Sequence, residues 1–285
     1  MATFFEVRVA HESETYARQA AQAAFEITGR MEKLLSRYRE DSEISQIRAL
    51  PPNELLRISP DTFHCLQLAA QMQELTGGAF DPGLGAQMDL QRDAALAPSG
   101  PGLARRGRLL MDADRFMVSV VEGPVVLDLG AIGKGFTLDR MAEELRNWDL
   151  TRVLLIAGES SLLALDGPTF DSTGWEVSIT ATRKLNLKRC AVGASGTSVK
   201  GAHILDPRTG RPSSTPYRTW ALHASAAIAD ALSTAWMLLA PDEIDQVCRE
   251  LPGTQAMVQP SENEPPMLTV FGPHKSGREA RNQNV

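Results

Sequence analysis

The chain has 285 residues, 43% of them hydrophobic, and a formal net charge of -6. That acidic balance, with no concentrated basic face, argues against a nucleic-acid surface, and the longest apolar runs fall far short of the roughly 20 residues that span a bilayer. The length allows one large core or two modest ones.

The residues before Glu6 lack the basic and apolar regions of a signal peptide, so a soluble cytoplasmic protein is expected. Cys65, Cys190 and Cys248 are widely spaced with no C-x-x-C pair, which predicts buried free thiols rather than disulfides or a zinc site. Of the five histidines, only His203 has informative neighbours.

Phe5, Val7 and Val9 alternate with Glu6 and Arg8, the period of a half-buried strand. A helix is predicted over 12–36, with Ala20, Ala24, Ile27 and Met31 on one stripe. The polar stretch 36–44 reads as a loop, and its Tyr38 is either a stacking platform for a planar ligand or an ordinary half-buried tyrosine. After Pro51-Pro52, a strand is predicted over 55–58. Ser59-Pro60-Asp61 then opens a helix that ends at Thr76-Gly77-Gly78. The turn through Ala79, Phe80 and Asp81 carries a carboxylate that either caps the turn or holds a ribose or an amine. Residues 91–108 have no period and read as a surface excursion or mobile loop. A hairpin over 109–112 and 116–120 follows.

The stretch from Leu127 to Leu145 carries the strongest local signal. A short apolar strand over 125–127 is predicted to run into Gly130, Gly133, Lys134 and Gly135, and then into a helix with Leu138, Met141, Ala142 and Leu145 on one stripe. Glycines allow close backbone approach, a helix start presents unpaired N–H groups, and Lys134 adds a positive charge, all of which suit a phosphate. The spacing is wrong for a Walker loop and for a G-x-G-x-x-G fingerprint. On the loop alone, a plain strand-to-helix turn is an equal alternative.

Further strands are predicted over 153–157, 162–165, 175–180, 189–192 and 220–223, with a loop of small residues over 193–197. The helix over 225–239 is almost free of charge apart from Asp230 and carries a broad apolar surface. A lone buried Asp needs a partner. With Ser233 and Thr234 close by, Asp230 is either a ligand of a hard cation such as Mg²⁺ or is bonded to the backbone of a neighbouring loop. A helix over 242–250 and strands over 256–258 and 267–270 complete the pattern, and 276–285 reads as a disordered tail.

Five ordered blocks together resemble the FAD:protein FMN transferase (ApbE) family. They are Tyr38-Arg39-Glu40-Asp41-Ser42-Glu43-Ile44-Ser45, Gly78-Ala79-Phe80-Asp81-Pro82, Asp128-Leu129-Gly130-Ala131-Ile132-Gly133-Lys134-Gly135, His203-Ile204-Leu205-Asp206-Pro207-Arg208-Thr209-Gly210 and Ala229-Asp230-Ala231-Leu232-Ser233-Thr234-Ala235. The resemblance implies an α+β fold of mixed sheets packed with helices, one domain over 1–275 with a flavin cleft between two lobes. It also implies a Mg²⁺-dependent enzyme that moves FMN from FAD onto a Thr or Ser hydroxyl of an acceptor protein and releases AMP. Met1, Tyr38, Ala79, Phe80, Asp81, Asp128, Lys134 and Leu205 match FAD-contacting positions, and Ala131, Asp230, Ser233 and Thr234 match the metal site. Lys134 and Asp230 are expected to serve catalysis, and His203 is the candidate general base, since an imidazole titrates near neutrality. The rival readings are a non-catalytic FAD-binding protein and an FAD pyrophosphatase that gives FMN and AMP.

The chain departs from the family pattern in three places. Glu159-Ser160-Ser161 stands where relatives carry Gly-Gly-Asp, the Trp-containing continuation after Asp81 is absent, and Ala2 replaces a Gly. Most relatives are exported lipoproteins.

Overall fold

The computed structural model describes residues 3–92, 107–196, 205–210, 217–262 and 268–272. Met1, His203 and the tail over 276–285 lie outside them, as does most of the excursion over 91–108.

The largest sheet has seven strands: β1 (Phe5–Val9), β5 (Val153–Ala157), β6 (Ser161–Ala164), β9 (Cys190–Gly196), β10 (Arg218–His223), β11 (Gln255–Gln259) and β12 (Thr269–Phe271). They are neighbours in that order. Each of the pairings β1 with β5, β5 with β6, β6 with β9, β9 with β10, β10 with β11 and β11 with β12 is antiparallel. A second sheet joins β2 (Leu55–Arg57), β4 (Met117–Glu122) and β3 (Arg108–Asp112), and a hairpin pairs β7 (Trp175–Ser178) with β8 (Lys184–Leu187).

The seven-stranded sheet is covered on both faces. Helices α1 (Glu14–Leu35), α5 (Gly133–Asn147) and α6 (Ala226–Ala235) take one face, where Val153, Leu155, Ala191 and Ala221 join the main core. On the other face Leu154, Val192, Trp220 and Met257 pack against Val177 and Leu187 of the hairpin. Burial on both sides explains why Val153–Ala157 is apolar throughout, without the alternation of a half-solvated strand. The remaining helices are α2 (Glu43–Ala49), α3 (Pro60–Leu75), α4 (Gly85–Arg92) and α7 (Pro241–Glu250). The fold is α+β, and among the described residues no helix is long and apolar enough to cross a membrane.

Four helices begin at a serine whose side chain accepts from a backbone N–H two or three residues into the helix: Ser13, Ser42, Ser59 and Ser225. Ser42 and the buried Ile44 and Ile47 thus turn part of the expected loop over 36–44 into α2. Residues 125–127 do not form the expected strand. Asp128 N donates to Pro82 O at 2.7 Å and Gly85 N donates to Val126 O at 3.0 Å, so the segment is held by isolated bonds rather than a ladder. The expected small-residue loop over 193–197 instead extends β9 to Gly196, because β10 pairs with it residue for residue. Helix α6 stops at Ala235, short of the predicted Leu239.

The placement of α6 depends on two glycines. A Cβ on Gly135 of α5 would lie 2.1 Å from Ala226 O, and one on Gly193 of β9 would lie 2.2 Å from Ala229 O. Both obstacles are backbone, which cannot rotate aside. Gly193→Ala is therefore expected to destabilise the fold by about 1–3 kcal/mol, the usual cost of overpacking, in a urea titration. An unchanged midpoint would show that α6 can retreat from the sheet without loss.

Candidate active site

The loop that enters α5 is shaped by its own side chains. Asp128 Oδ1 accepts from Gly130 N at 2.8 Å, and Asp128 Oδ2 accepts from Arg37 Nη1 at 2.5 Å. Arg37 Nη2 also reaches Gly85 O at 2.9 Å and Asp89 Oδ1 at 2.6 Å. Burial works against this guanidinium's charge, but the Asp128 hydrogen bond and the charges of Asp128 and Asp89 outweigh it and hold its pKa above the ordinary arginine value. One buried arginine therefore ties α1's exit, α4 and the loop before α5 together.

Helix α5 begins at Gly133, and Ile132 before it offers no side-chain cap. Its cap comes from α6: Asp230, 2% exposed, accepts from Gly135 N at 3.1 Å through Oδ2. Lys134 Nζ lies 3.2 Å from Asp230 Oδ1 and 3.4 Å from Oδ2, and Ser161 Oγ donates to Oδ1 at 2.9 Å. The exchange is mutual. Asp139 of α5 accepts from Ala226 N, Ala227 N and Ser225 Oγ at 2.8, 3.0 and 2.7 Å, capping the start of α6. Burial raises the Asp139 carboxyl pKa despite those donors.

These groups border a cavity of about 600 Å³, within the roughly 300–1,000 Å³ range of small-molecule sites. It lies across strand ends, where β9 finishes, β10 begins and the β5–β6 turn carries Glu159 and Ser160. Tyr38, Ala79, Phe80 and Asp81 approach from one side, with Asp128, Ala131, Lys134, Leu205, Asp230 and Thr234 around them. Tyr38 is 70% exposed and stands beside the Arg37 guanidinium, which lies 5.5 Å from its ring centroid. Asp81 Oδ1 accepts from Gly83 N at 2.7 Å, capping a single 3-10 turn over Pro82–Leu84. Among the described residues the cationic side chains that line the space are Lys134 and Arg218, with apolar groups that include Leu84, Met88, Ile179 and Leu238.

Residues 1–258 match the model of the ApbE family. The chain belongs to the ApbE family. Curated relatives include an FAD:protein FMN transferase of Treponema pallidum, 27% identical over 276 residues that cover 84% of this chain and 76% of the relative. Another, from Klebsiella pneumoniae, is 26% identical over 215 residues, covering 67% and 66%. Among solved structures, the ApbE protein of Thermotoga maritima superposes with a TM-score of 0.78 at 26% identity, covering 94% of this chain and 96% of that one. The apo flavinyl transferase ApbE of Pseudomonas stutzeri shares the fold, with a TM-score of 0.76 at 22% identity and 94% coverage of each.

In this ApbE chain ten of the residues expected at the site line one cavity, although they are drawn from five separated blocks. Met1 and His203 lie outside the described residues. Ser233 is fully buried behind the wall, and its Oγ donates to Asp230 O at 2.8 Å. The partners of the Asp230 carboxylate are thus Lys134, Gly135 N and Ser161 rather than a hydroxyl of its own helix. The altered Glu159-Ser160-Ser161 segment still serves the site, since Ser161 bonds Asp230 and the other two line the cavity.

Four contributors escape sequence reasoning: Arg37, Ser161, Ser195 and Arg218. Arg37 sits in a run of mixed charge where nothing marks it as buried, and Ser195 sits in a stretch read as loop. Arg218 precedes the apolar core of β10, and its role follows only from the strand's direction.

Asp230 has three partners and almost no solvent, whereas Lys134 is 21% exposed. Asp230→Ala should therefore lower stability by about 2–3 kcal/mol, because it leaves the buried Gly135 N–H and the Ser161 hydroxyl without their acceptor. Lys134→Ala should cost only about 1 kcal/mol, because water screens the lysine and Asp230 keeps two donors. Urea unfolding of both variants at pH 7 measures the order, and a reversed order would contradict the assignment of Asp230 as the buried anchor.

Proposed function

We propose that the chain is an FAD:protein FMN transferase, with FAD as substrate and a Thr or Ser hydroxyl of another protein as acceptor. Family membership and the relatives' activity support this reading. The observation that carries it is the single cavity in which the Lys134–Asp230 pair meets Tyr38 and the segment from Ala79 to Asp81. In the reaction the acceptor oxygen bonds to the FMN-side phosphorus, the phosphorus–oxygen bond to AMP breaks, and the hydroxyl proton passes to a base.

The residues have coherent tasks for that step. Tyr38 offers an aromatic face to the flavin at the mouth of the cavity. Ala79, Phe80 and Asp81 hold the adenosine side, and Asp128, fixed by Arg37, keeps the α5 entry loop in place for the diphosphate. Leu205 contributes an apolar contact. Lys134 and Arg218 offset the phosphate charge, and phosphoryl transfer rests mainly on such positioning and charge neutralisation. His203 remains the proposed base.

The donors around Asp230 also fit a hard divalent cation. They are all oxygens: one buried carboxylate, the hydroxyl of Thr234, and the carbonyl expected from Ala131. Among the described residues no three His, Cys, Asp or Glu side chains cluster, so a cation here would rely on a single carboxylate, which suits Mg²⁺ with its retained waters and phosphate oxygens. The Lys134 ammonium, 3.2 Å from Oδ1, shows that the carboxylate already accepts a cationic neighbour. Mg²⁺ bound there would neutralise charge building on the diphosphate.

Incubation with FAD, Mg²⁺ and a Thr-containing acceptor protein should give acceptor carrying covalent FMN, seen by intact mass, and one AMP per transfer. Asp230→Asn should reduce transfer by at least about a hundredfold, the scale of losing an electrostatic contact at the reacting group. AMP released without FMN on the acceptor would point to an FAD pyrophosphatase. FAD bound but intact would point to a binding protein.

A further inference from the structure

Three hydroxyls meet where β9 crosses α6. Ser195 Oγ lies 3.0 Å from Ser233 Oγ and 3.1 Å from Thr234 Oγ1, and Ser233 Oγ lies 2.8 Å from the carbonyl oxygen of Asp230. Thr219 Oγ1 donates to Ser233 O at 2.6 Å, which pins the helix backbone at the same level.

Proton accounting gives this cluster one direction. Each hydroxyl owns one proton and two lone pairs, and a carbonyl oxygen owns no proton. The Ser233 proton is therefore committed to Asp230 O. The bond between Ser195 and Ser233 then takes its proton from Ser195, and the bond between Ser195 and Thr234 takes its proton from Thr234. The chain runs from Thr234 through Ser195 and Ser233 to the Asp230 carbonyl. Thr234 lines the cavity and sends its proton away from it, so its Oγ1 meets the cavity with lone pairs alone.

We infer that Ser195 is a positioning residue that holds Thr234 as a lone-pair donor toward a cation, and that Ser233 relays this orientation without touching the cation. The inference rests on the metal reading proposed above, because a lone-pair donor would be wasted against phosphate oxygens. Without Ser195, the Thr234 hydroxyl is free to turn its proton outward and donate it to an anionic oxygen, and its value to a cation falls.

The test uses Mn²⁺ as the probe, counted by the EPR signal of the free ion, with FAD affinity measured in parallel by flavin fluorescence. Ser195→Ala should weaken Mn²⁺ binding about fivefold to tenfold, the scale of one net hydrogen bond. FAD affinity measured without metal should stay within about twofold. Ser195→Thr, which restores the hydroxyl, should return Mn²⁺ affinity to within about twofold of the parent chain, and Thr234→Val should weaken it at least as much as Ser195→Ala does.

Unchanged Mn²⁺ affinity in Ser195→Ala, with a loss in Thr234→Val, would overturn the positioning role and leave the metal site standing. A parallel loss of Mn²⁺ affinity, FAD affinity and melting temperature in Ser195→Ala would also overturn it, by showing a merely structural role. Failure of the parent chain to bind Mn²⁺, with or without FAD, would remove the metal reading and this inference with it.

Discussion

The site depends on two helices capping each other. Asp230 of α6 closes the uncapped start of α5 at Gly135 N, and Asp139 of α5 closes the start of α6 at Ala226 N and Ala227 N. Neither bond can form unless the backbones almost touch, which Gly135 and Gly193 permit by lacking a side chain. Unpaired N–H groups at a helix start are costly when buried. The reciprocal arrangement satisfies them with carboxylates that would otherwise be isolated charges in the core. The packing of these two helices and the shape of the cavity therefore draw on the same contacts.

From this junction the cavity follows geometrically. Lys134 stands beside Gly135 and so meets Asp230, while β9, pressed onto α6 through Gly193, brings Ser195 to Ser233 and Thr234. On the opposite side Arg37 acts as a tie. Its guanidinium holds Asp128, Asp89 and the Gly85 carbonyl, which sets the α5 entry loop against the segment that carries Ala79 to Asp81. An enzyme that relies on placing a diphosphate gains from walls fixed by buried charge and backbone contact rather than by mobile side chains.

Much of this was legible in the chain. The stripe Leu138, Met141, Ala142 and Leu145 is fully buried, as its spacing predicts, and the lone Asp in an apolar helix did signal a special partner. What stayed hidden is tertiary. Periodicity cannot tell that the apolar 125–127 segment is held by Gly85 N on Val126 O, with Asp128 N on Pro82 O just after it, instead of joining a sheet. Nor can composition separate a loop of small residues from a strand whose glycine admits a helix, as at Gly193. The short α2 was missed because a polar surface masks two buried isoleucines. Arg37 carries no sequence mark, and Ser161 is marked only as a departure from the family pattern, because their importance comes from residues roughly 90 and 70 positions away, where non-local pairing decides.

We propose that the Lys134–Asp230 junction and the Tyr38 mouth belong to one flavin-nucleotide site. The most direct measurement is a crystal structure of the chain soaked with FAD and Mn²⁺. The flavin is expected against Tyr38, the diphosphate beside Lys134, and an anomalous peak within coordination distance of Asp230. FAD density outside this cavity, or a bound FAD whose diphosphate lies remote from both Lys134 and Asp230, would contradict it.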